Sequence, residues 1–150
     1  MERTFMMIKP DGVQRGFIGQ IFTRIESRGM KIIGMKIISV SLEQAQEHYK
    51  EHVGKDFYQP LLDYITSGPV VAMVIEGRDC VAQIRKIAGK TDPKDATPGT
   101  IRYDFGQSIR FNVVHAADSD KSAEREIGIY FKPDEILKYD MDSHKWIIGD

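Results

Sequence analysis

The sequence predicts a fold of the α/β type in its α+β form: a ferredoxin-like antiparallel four-stranded sheet with helices packed on it. Three observations carry this expectation. Apolar runs at residues 4–8, 31–40, 70–75 and 111–114 have the length and composition of buried strands. Segments with apolar residues at spacings of three and four stand between them. Their order, strand–helix–strand followed by strand–helix–strand with extra helices inserted, is that of a split βαβ repeat.

The first strand, 4–8, stops at Lys9-Pro10-Asp11-Gly12, a strong turn signal. Ile18, Ile21, Phe22 and Ile25 mark a helix, with Gly29 where a C-cap belongs. The isoleucine-rich stretch 31–40 is the second strand. Ser41-Leu42-Glu43-Gln44 has the capping-box pattern and opens a helix to about residue 50. A further helical piece spans 56–65 and ends at Ser67-Gly68-Pro69. The third strand, 70–75, leads to a helix over 79–88 capped by Gly89. No period survives over 90–107, which holds Pro93, Pro98, Gly99 and Gly106; unpatterned connections of that length are usually functional or disordered. The fourth strand, 111–114, and a helix over 120–130 complete the pattern.

At 150 residues the expectation is one domain over 1–150, large enough to bury a core without disulfide or metal staples. With 21 basic and 22 acidic side chains the net charge is −1. No global field draws such a chain to nucleic acid or acidic lipid, so any anion site must come from local clustering. The single cysteine, Cys80, pairs with nothing in its own chain and is read as buried filler in a reducing compartment. The start, Met1-Glu2-Arg3-Thr4-Phe5, brings charge too early for a signal peptide, and the longest apolar run, 69–75, is too short to span a membrane. A cytoplasmic protein with no membrane partner is the expectation.

The chemistry concentrates at Asn112-Val113-Val114-His115-Ala116-Ala117-Asp118-Ser119. Here a histidine stands at the end of an apolar strand among small residues, which leave an imidazole accessible. His115 is therefore a candidate nucleophile or proton carrier, against the alternative of a histidine that merely ends a strand. In the last helix Ala123, Ile127 and Tyr130 form the inward stripe, and Glu126 falls beside it. A carboxylate there needs a partner, since burying it alone is costly, and an adjacent imidazole would supply one. The alternative is a solvated glutamate. Lys9, Arg85 and Arg102, with Thr91 nearby, would clamp a polyphosphate if the fold brings them together; taken singly, each is a surface charge.

Other signals carry less. Gly89-Lys90-Thr91 imitates a P-loop ending, but Ile84 occupies the position of the required first glycine. Gly12, Gly16 and Gly19 lack the dinucleotide spacing and are read as turn and packing glycines. His48 and His52 stand four apart without the HExxH pattern, and a solvated helix face is the reading for that pair.

Beyond single residues, the chain resembles the nucleoside diphosphate kinase family. The likeness runs through Glu2-Arg3-Thr4-Phe5, Ile8-Lys9-Pro10-Asp11-Gly12-Val13-Gln14-Arg15-Gly16 and Ser67-Gly68-Pro69-Val70-Val71. It continues in Thr91-Asp92-Pro93, Pro98-Gly99-Thr100-Ile101-Arg102, Asn112-Val113-Val114-His115 and Lys121-Ser122-Ala123-Glu124-Arg125-Glu126-Ile127. It implies a ping-pong transfer of the γ-phosphate from a nucleoside triphosphate to a nucleoside diphosphate through phosphorylated His115, at Nδ1. It further implies that Glu126 orients the imidazole, with Tyr49 close by. Lys9 and Asn112 would hold the sugar hydroxyls, Arg85, Thr91 and Arg102 the phosphates, and Phe57 would stack on the base with broad tolerance. Mg2+ would travel with the phosphates, with Asp118 as an outer-sphere contact. A homohexamer is implied, a tetramer being the other form. One departure stands out: the family's His-Gly-Ser-Asp-Ser reads His115-Ala116-Ala117-Asp118-Ser119 here. The hydroxyl that would bridge toward Glu126 is missing at Ala117, which puts the support of Glu126 in question.

Two other functions compete. A ferredoxin-like module that holds nucleotide without turnover would suit the Ala117 change. A structural or transcription-associated interaction protein would need a nucleic-acid surface, and the balanced charge argues against nucleic acid as the main ligand.

Overall fold

The computed structural model describes residues 1–149. Its elements in chain order are β1 (Glu2–Ile8), α1 (Pro10–Gln14), α2 (Ile18–Ser27), β2 (Lys31–Ile38), α3 (Leu42–His48), α4 (Tyr58–Ile65), β3 (Val70–Gly77), α5 (Cys80–Ala88), α6 (Ile101–Phe105), β4 (Val114–Ala116), α7 (Asp120–Tyr130) and α8 (His144–Ile147). Short 3-10 turns lie at Lys50–His52, Pro93–Asp95 and Pro133–Glu135. The sheet order is β2-β3-β1-β4, with every neighbouring pair antiparallel. This is the ferredoxin-like arrangement expected from the order of elements.

Both faces of the sheet are covered, so the central strands read as unbroken apolar runs rather than as alternation. Along β1, Phe5 and Met7 join Ala45, Ile65, Ala123 and Ile127 on one face. Met6 and Ile8 join Ile21, Ile25, Ile84 and Ile101 on the other. Helices α3, α4 and α7 therefore share one layer, and α2, α5 and α6 the opposite one. Cys80 is fully buried, and its thiol donates to the Ile75 carbonyl at 3.3 Å. Burial pushes that thiol up to about 12, so it stays protonated filler as expected.

The capping box at Ser41 and Gln44 forms as the sequence suggests, and Ser119 caps α7 by accepting from the Ser122 amide. Four expectations are corrected. The signal at Lys9–Gly12 builds not a bare turn but α1, because Pro10 stands at a helix's first position where its missing N–H costs nothing. The helix opened by Ser41 stops at His48, and Lys50–His52 continues as a 3-10 turn. The unpatterned stretch 90–107 contains α6, capped by Thr100, whose side chain accepts from the Tyr103 amide.

The fourth correction concerns the last strand, which begins at Val114 rather than at residue 111. Val113 sits in the left-handed region with φ of 73°, a conformation that costs a β-branched residue of the order of 1–3 kcal/mol. It is held there from both sides: the Val113 amide donates to Asp11 Oδ2 at 3.2 Å, and its carbonyl accepts from the Lys9 amide at 2.8 Å. Gly12 permits this approach, because a Cβ there would lie 2.7 Å from Ile8 Cγ2 and 3.1 Å from the Val113 carbonyl.

Candidate active site

The register decides which way His115 faces. It pairs with Met7, which packs in the same layer as α7, so the imidazole is turned to that side of the sheet. From α7, Glu126 reaches toward it, one position before the buried stripe residue Ile127. Glu126 is only 3% exposed, and its Oε1 lies 2.5 Å from His115 Nε2. The inward placement of Glu126 is thus realised. A carboxylate only accepts, so Nε2 carries the proton and Nδ1 keeps its lone pair. No hydrogen bond ties up Nδ1 among the described residues.

Burial, and then the neighbouring His48, push His115 below the usual imidazole value of 6.5, with Glu126 opposing them. Burial alone would raise Glu126. Hydrogen bonds from His115 and His48 outweigh it and hold the carboxyl low. At neutral pH the pair is a neutral imidazole against an ionised carboxylate.

Around His115 opens a groove of about 630 Å³ whose lining includes all ten residues singled out from the sequence. Lys9 is 6% exposed; its Nζ donates to Asn112 Oδ1 at 2.9 Å. Burial, then nearby Arg102, lower the Lys9 ammonium to about 7. Asn112 is held in turn by the Thr91 carbonyl, 3.1 Å from its Nδ2. The Arg85 side chain extends from α5 to the Ala116 carbonyl at 3.4 Å. Phe57 stands 50% exposed on the wall, edge-on to His52. Tyr49 is buried, 6.5 Å ring to ring from His115, and among the described residues its hydroxyl has no hydrogen-bond partner. Asp118 is exposed on the rim.

Arg102 differs from a free phosphate clamp. Its guanidinium donates to the carbonyls of Gly89 at 2.7 Å, Val114 at 2.8 Å and Asn112 at 3.3 Å. Three of its five N–H groups therefore tie α6 and the 90–107 segment to the strand of His115. Burial, then Arg85, lower it to about 10, so it remains a cation at neutral pH.

His48 is the residue that the spacing argument missed. It is not on a solvated face but 3% exposed, with Nδ1 2.8 Å from the Tyr130 hydroxyl and Nε2 3.1 Å from His115 Nε2. The i, i+4 geometry assumed for it fails because α3 ends at His48 and His52 belongs to the next turn. The signal available in the sequence was position: His48 follows Ala45 at a spacing of three on the inward side of α3.

A second cavity, of about 550 Å³, lies under the C-terminal segment between Met30, Lys31 and Ile147. It is lined by none of the residues around His115.

Comparison with known proteins decides the family. The family model described as nucleoside diphosphate kinase matches residues 2–136. This chain belongs to the nucleoside diphosphate kinase family. A curated family member from Pyrococcus furiosus is 58% identical over 142 residues, covering 93% of this chain and 88% of its own. One from Desulforamulus reducens is 54% identical over 147 residues, covering 98% and 99%. Among solved structures, a halophilic nucleoside diphosphate kinase from Halobacterium salinarum in complex with CDP superposes with a TM-score of 0.95 at 50% identity, covering 97% of both chains. A nucleoside diphosphate kinase family protein from Babesia bovis gives 0.95 at 41% identity, covering 98% and 99%. The chain is thus a nucleotide phosphotransferase. Among the described residues no helix is long and apolar enough to cross a membrane.

Proposed function

We propose that Nδ1 of His115 carries the phosphoryl group between nucleotides. The observation that carries this reading is the 2.5 Å contact of Nε2 with Glu126, which leaves Nδ1 as the ring nitrogen with a lone pair to give, on a histidine that lines the groove. In the first half-reaction the Nδ1 lone pair forms a bond to the γ-phosphorus of a nucleoside triphosphate. The bond to the bridging oxygen breaks, and its electron pair leaves on the diphosphate. The positive charge that develops on the ring is balanced by the Glu126 carboxylate through Nε2–H. A different diphosphate then enters the same groove, and its terminal oxygen takes the phosphoryl group. Splitting the transfer in this way lets one site serve donor and acceptor in turn.

The surrounding residues take roles that the groove supports. Arg85, Thr91 and Arg102 face the phosphates and offset the charge that moves during in-line displacement. Lys9 and Asn112, already bonded to each other, hold the sugar hydroxyls. Phe57 offers a half-exposed ring to the base; stacking accepts every base because each has a π face. The buried, unpartnered Tyr49 hydroxyl has hydrogen-bonding capacity left for the transferring group.

Mg2+ enters as part of the substrate. Among the described residues, the one cluster of three donors that could hold a metal is His48, His115 and Glu126, two nitrogens that suit magnesium poorly. Asp118, exposed on the rim, fits a contact through water to a cation held by phosphates. A homohexamer, with a tetramer as the other form, is proposed for the assembly. The exposed Met35 and Ile37 of β2 and the 83% exposed Trp146 support burial against further copies. Light scattering that gave a monomer or dimer would overturn it. Cytoplasmic residence belongs to the same reading, with the thiol of Cys80 kept free.

Position 117 offers Glu126 a methyl group in place of a hydroxyl, and the enzyme is active without a hydroxyl there. An increase of several orders of magnitude in phosphorylation rate for Ala117→Ser would contradict that. The reading as a whole is tested by incubating the protein with γ-labelled ATP alone and then chasing with GDP, CDP and UDP. Labelled protein that each diphosphate discharges is expected. Nucleotide bound without transfer of label would favour the binding-module alternative.

A further inference from the structure

His48 is enclosed on every side. Its ring stacks on Tyr49 at 4.4 Å and 10°, meets His115 edge-on at 4.5 Å and 82°, and meets Phe5 at 6.0 Å and 72°. Its two nitrogens are both engaged: Nδ1 with the Tyr130 hydroxyl at 2.8 Å, Nε2 with His115 Nε2 at 3.1 Å. The same Nε2 is 3.6 Å from Glu126 Oε1. Glu126 has few other supports. Its Oε2 is 4.0 Å from the Arg125 guanidinium, and the buried Ala117 side chain offers only a methyl group.

Three potential acceptors, two imidazole nitrogens and a carboxylate oxygen, therefore converge where few protons are available. The short contact to Glu126 fixes one proton on His115 Nε2. If His48 donates from Nδ1 to Tyr130, its bare Nε2 takes a second share of that proton. If Tyr130 donates to Nδ1, the His48 Nε2–H points toward Oε1. Under both arrangements the other His115 tautomer would press a bare Nε2 against the carboxylate, and His48 packs the ring against turning away.

We propose that His48, backed by Tyr130, is a positioning residue that clamps the His115–Glu126 pair and keeps Nδ1 of His115 turned to the nucleotide. The inference rests on the phosphohistidine reading above and names a residue that acts through His115. It assigns to His48 support of Glu126 that Ala117 cannot give.

The test compares His48→Phe, which keeps a flat ring and loses both nitrogens, with His48→Gln, whose amide reaches the position of Nε2. Three quantities are read: the single-turnover rate of phosphorylation by ATP, the nucleotide dissociation constant, and the ¹⁵N ring shifts of His115. His48→Phe is expected to slow phosphorylation by about 10- to 100-fold, as loss of an orienting partner commonly does. Its nucleotide affinity should stay within about 2-fold, and the His115 shifts should move from a single Nε2–H form to a tautomer mixture. His48→Gln is expected to be at least about 5-fold faster than His48→Phe and to keep the single form. Equal rates in the two variants, or unchanged His115 shifts in His48→Phe, would overturn the proposal. Should His48→Phe not fold, Tyr130→Phe removes the backing hydroxyl: slower phosphorylation with mixed tautomers supports the clamp, and no change in either overturns it. Failure of the parent protein to accept label would instead sink the phosphohistidine reading itself.

Discussion

His115 and Glu126 come from a three-residue strand and from the helix directly after it, yet they meet at 2.5 Å between Nε2 and Oε1. The register that pairs His115 with Met7 turns the imidazole toward α7, and the helical period turns Glu126 back toward the sheet. The contact assigns the ring's two nitrogens different tasks, one held and one free.

Glu126→Gln keeps the shape and an acceptor oxygen but removes the charge that balances the imidazolium. The phosphorylation rate is expected to fall by about 10- to 100-fold, with nucleotide affinity nearly unchanged. Single-turnover labelling and equilibrium binding separate the two effects. Equal loss in both would show that Glu126 serves binding instead.

The pH profile follows from the neutral state of His115. Nucleophilic attack needs an unprotonated Nδ1, and burial places the ring below its ordinary 6.5. The rate at saturating nucleotide should be flat through neutrality and fall as acid protonates the ring, with its inflection below 6.5. An inflection above 6.5 would mean that Glu126 dominates over burial.

Lys9 is expected to trade stability for nucleotide binding. Its folded value of about 7 lies below the ordinary 10.5. Between those limits the unfolded chain holds a proton that the folded one has released, so stability rises with pH across that window; below about 7 the full cost of burying the cation is present. Lys9→Met should melt higher than the parent near pH 6, with the gap closing toward about pH 10. Its nucleotide affinity should fall at neutral pH. Calorimetry across that range checks the sign, and a gap that widens with pH would contradict it.

Arg85 and Arg102 are expected to part company. Arg85→Ala should weaken nucleotide binding and leave the melting temperature nearly unchanged, since its contact with the Ala116 carbonyl is long, 3.4 Å. Arg102→Ala strips three carbonyls of their donor and should also destabilise the fold, by about 2–4 kcal/mol. Denaturant melts of the two variants beside binding titrations distinguish them. Equal stability would reduce Arg102 to a phosphate contact.

What was legible in the sequence was whatever depends on neighbours along the chain. The apolar run of β1, the Ser41–Gln44 capping box and the bounds of α7 follow from local pattern, and so does Glu126 beside its stripe. The start of β4 was misplaced because the left-handed turn at Val113 is imposed from outside, by Asp11 and by the Lys9 amide. The gathering of Lys9, Arg85 and Arg102 around one groove depends on strand order, which no single segment encodes. The family resemblance supplied that gathering in advance. It did not supply the burial of His48, which the two-histidine spacing pointed away from.

Every role proposed for the groove depends on Nδ1 of His115 carrying the phosphoryl group. The most direct measurement is to incubate the protein with γ-labelled ATP and no acceptor, then map the bound label and its lability. About one label per chain is expected at saturation, stable in alkali, lost in acid, located on Nδ1 of His115 and absent from His115→Ala. Label that persists in His115→Ala, or that survives acid as a hydroxyl ester does, would contradict it.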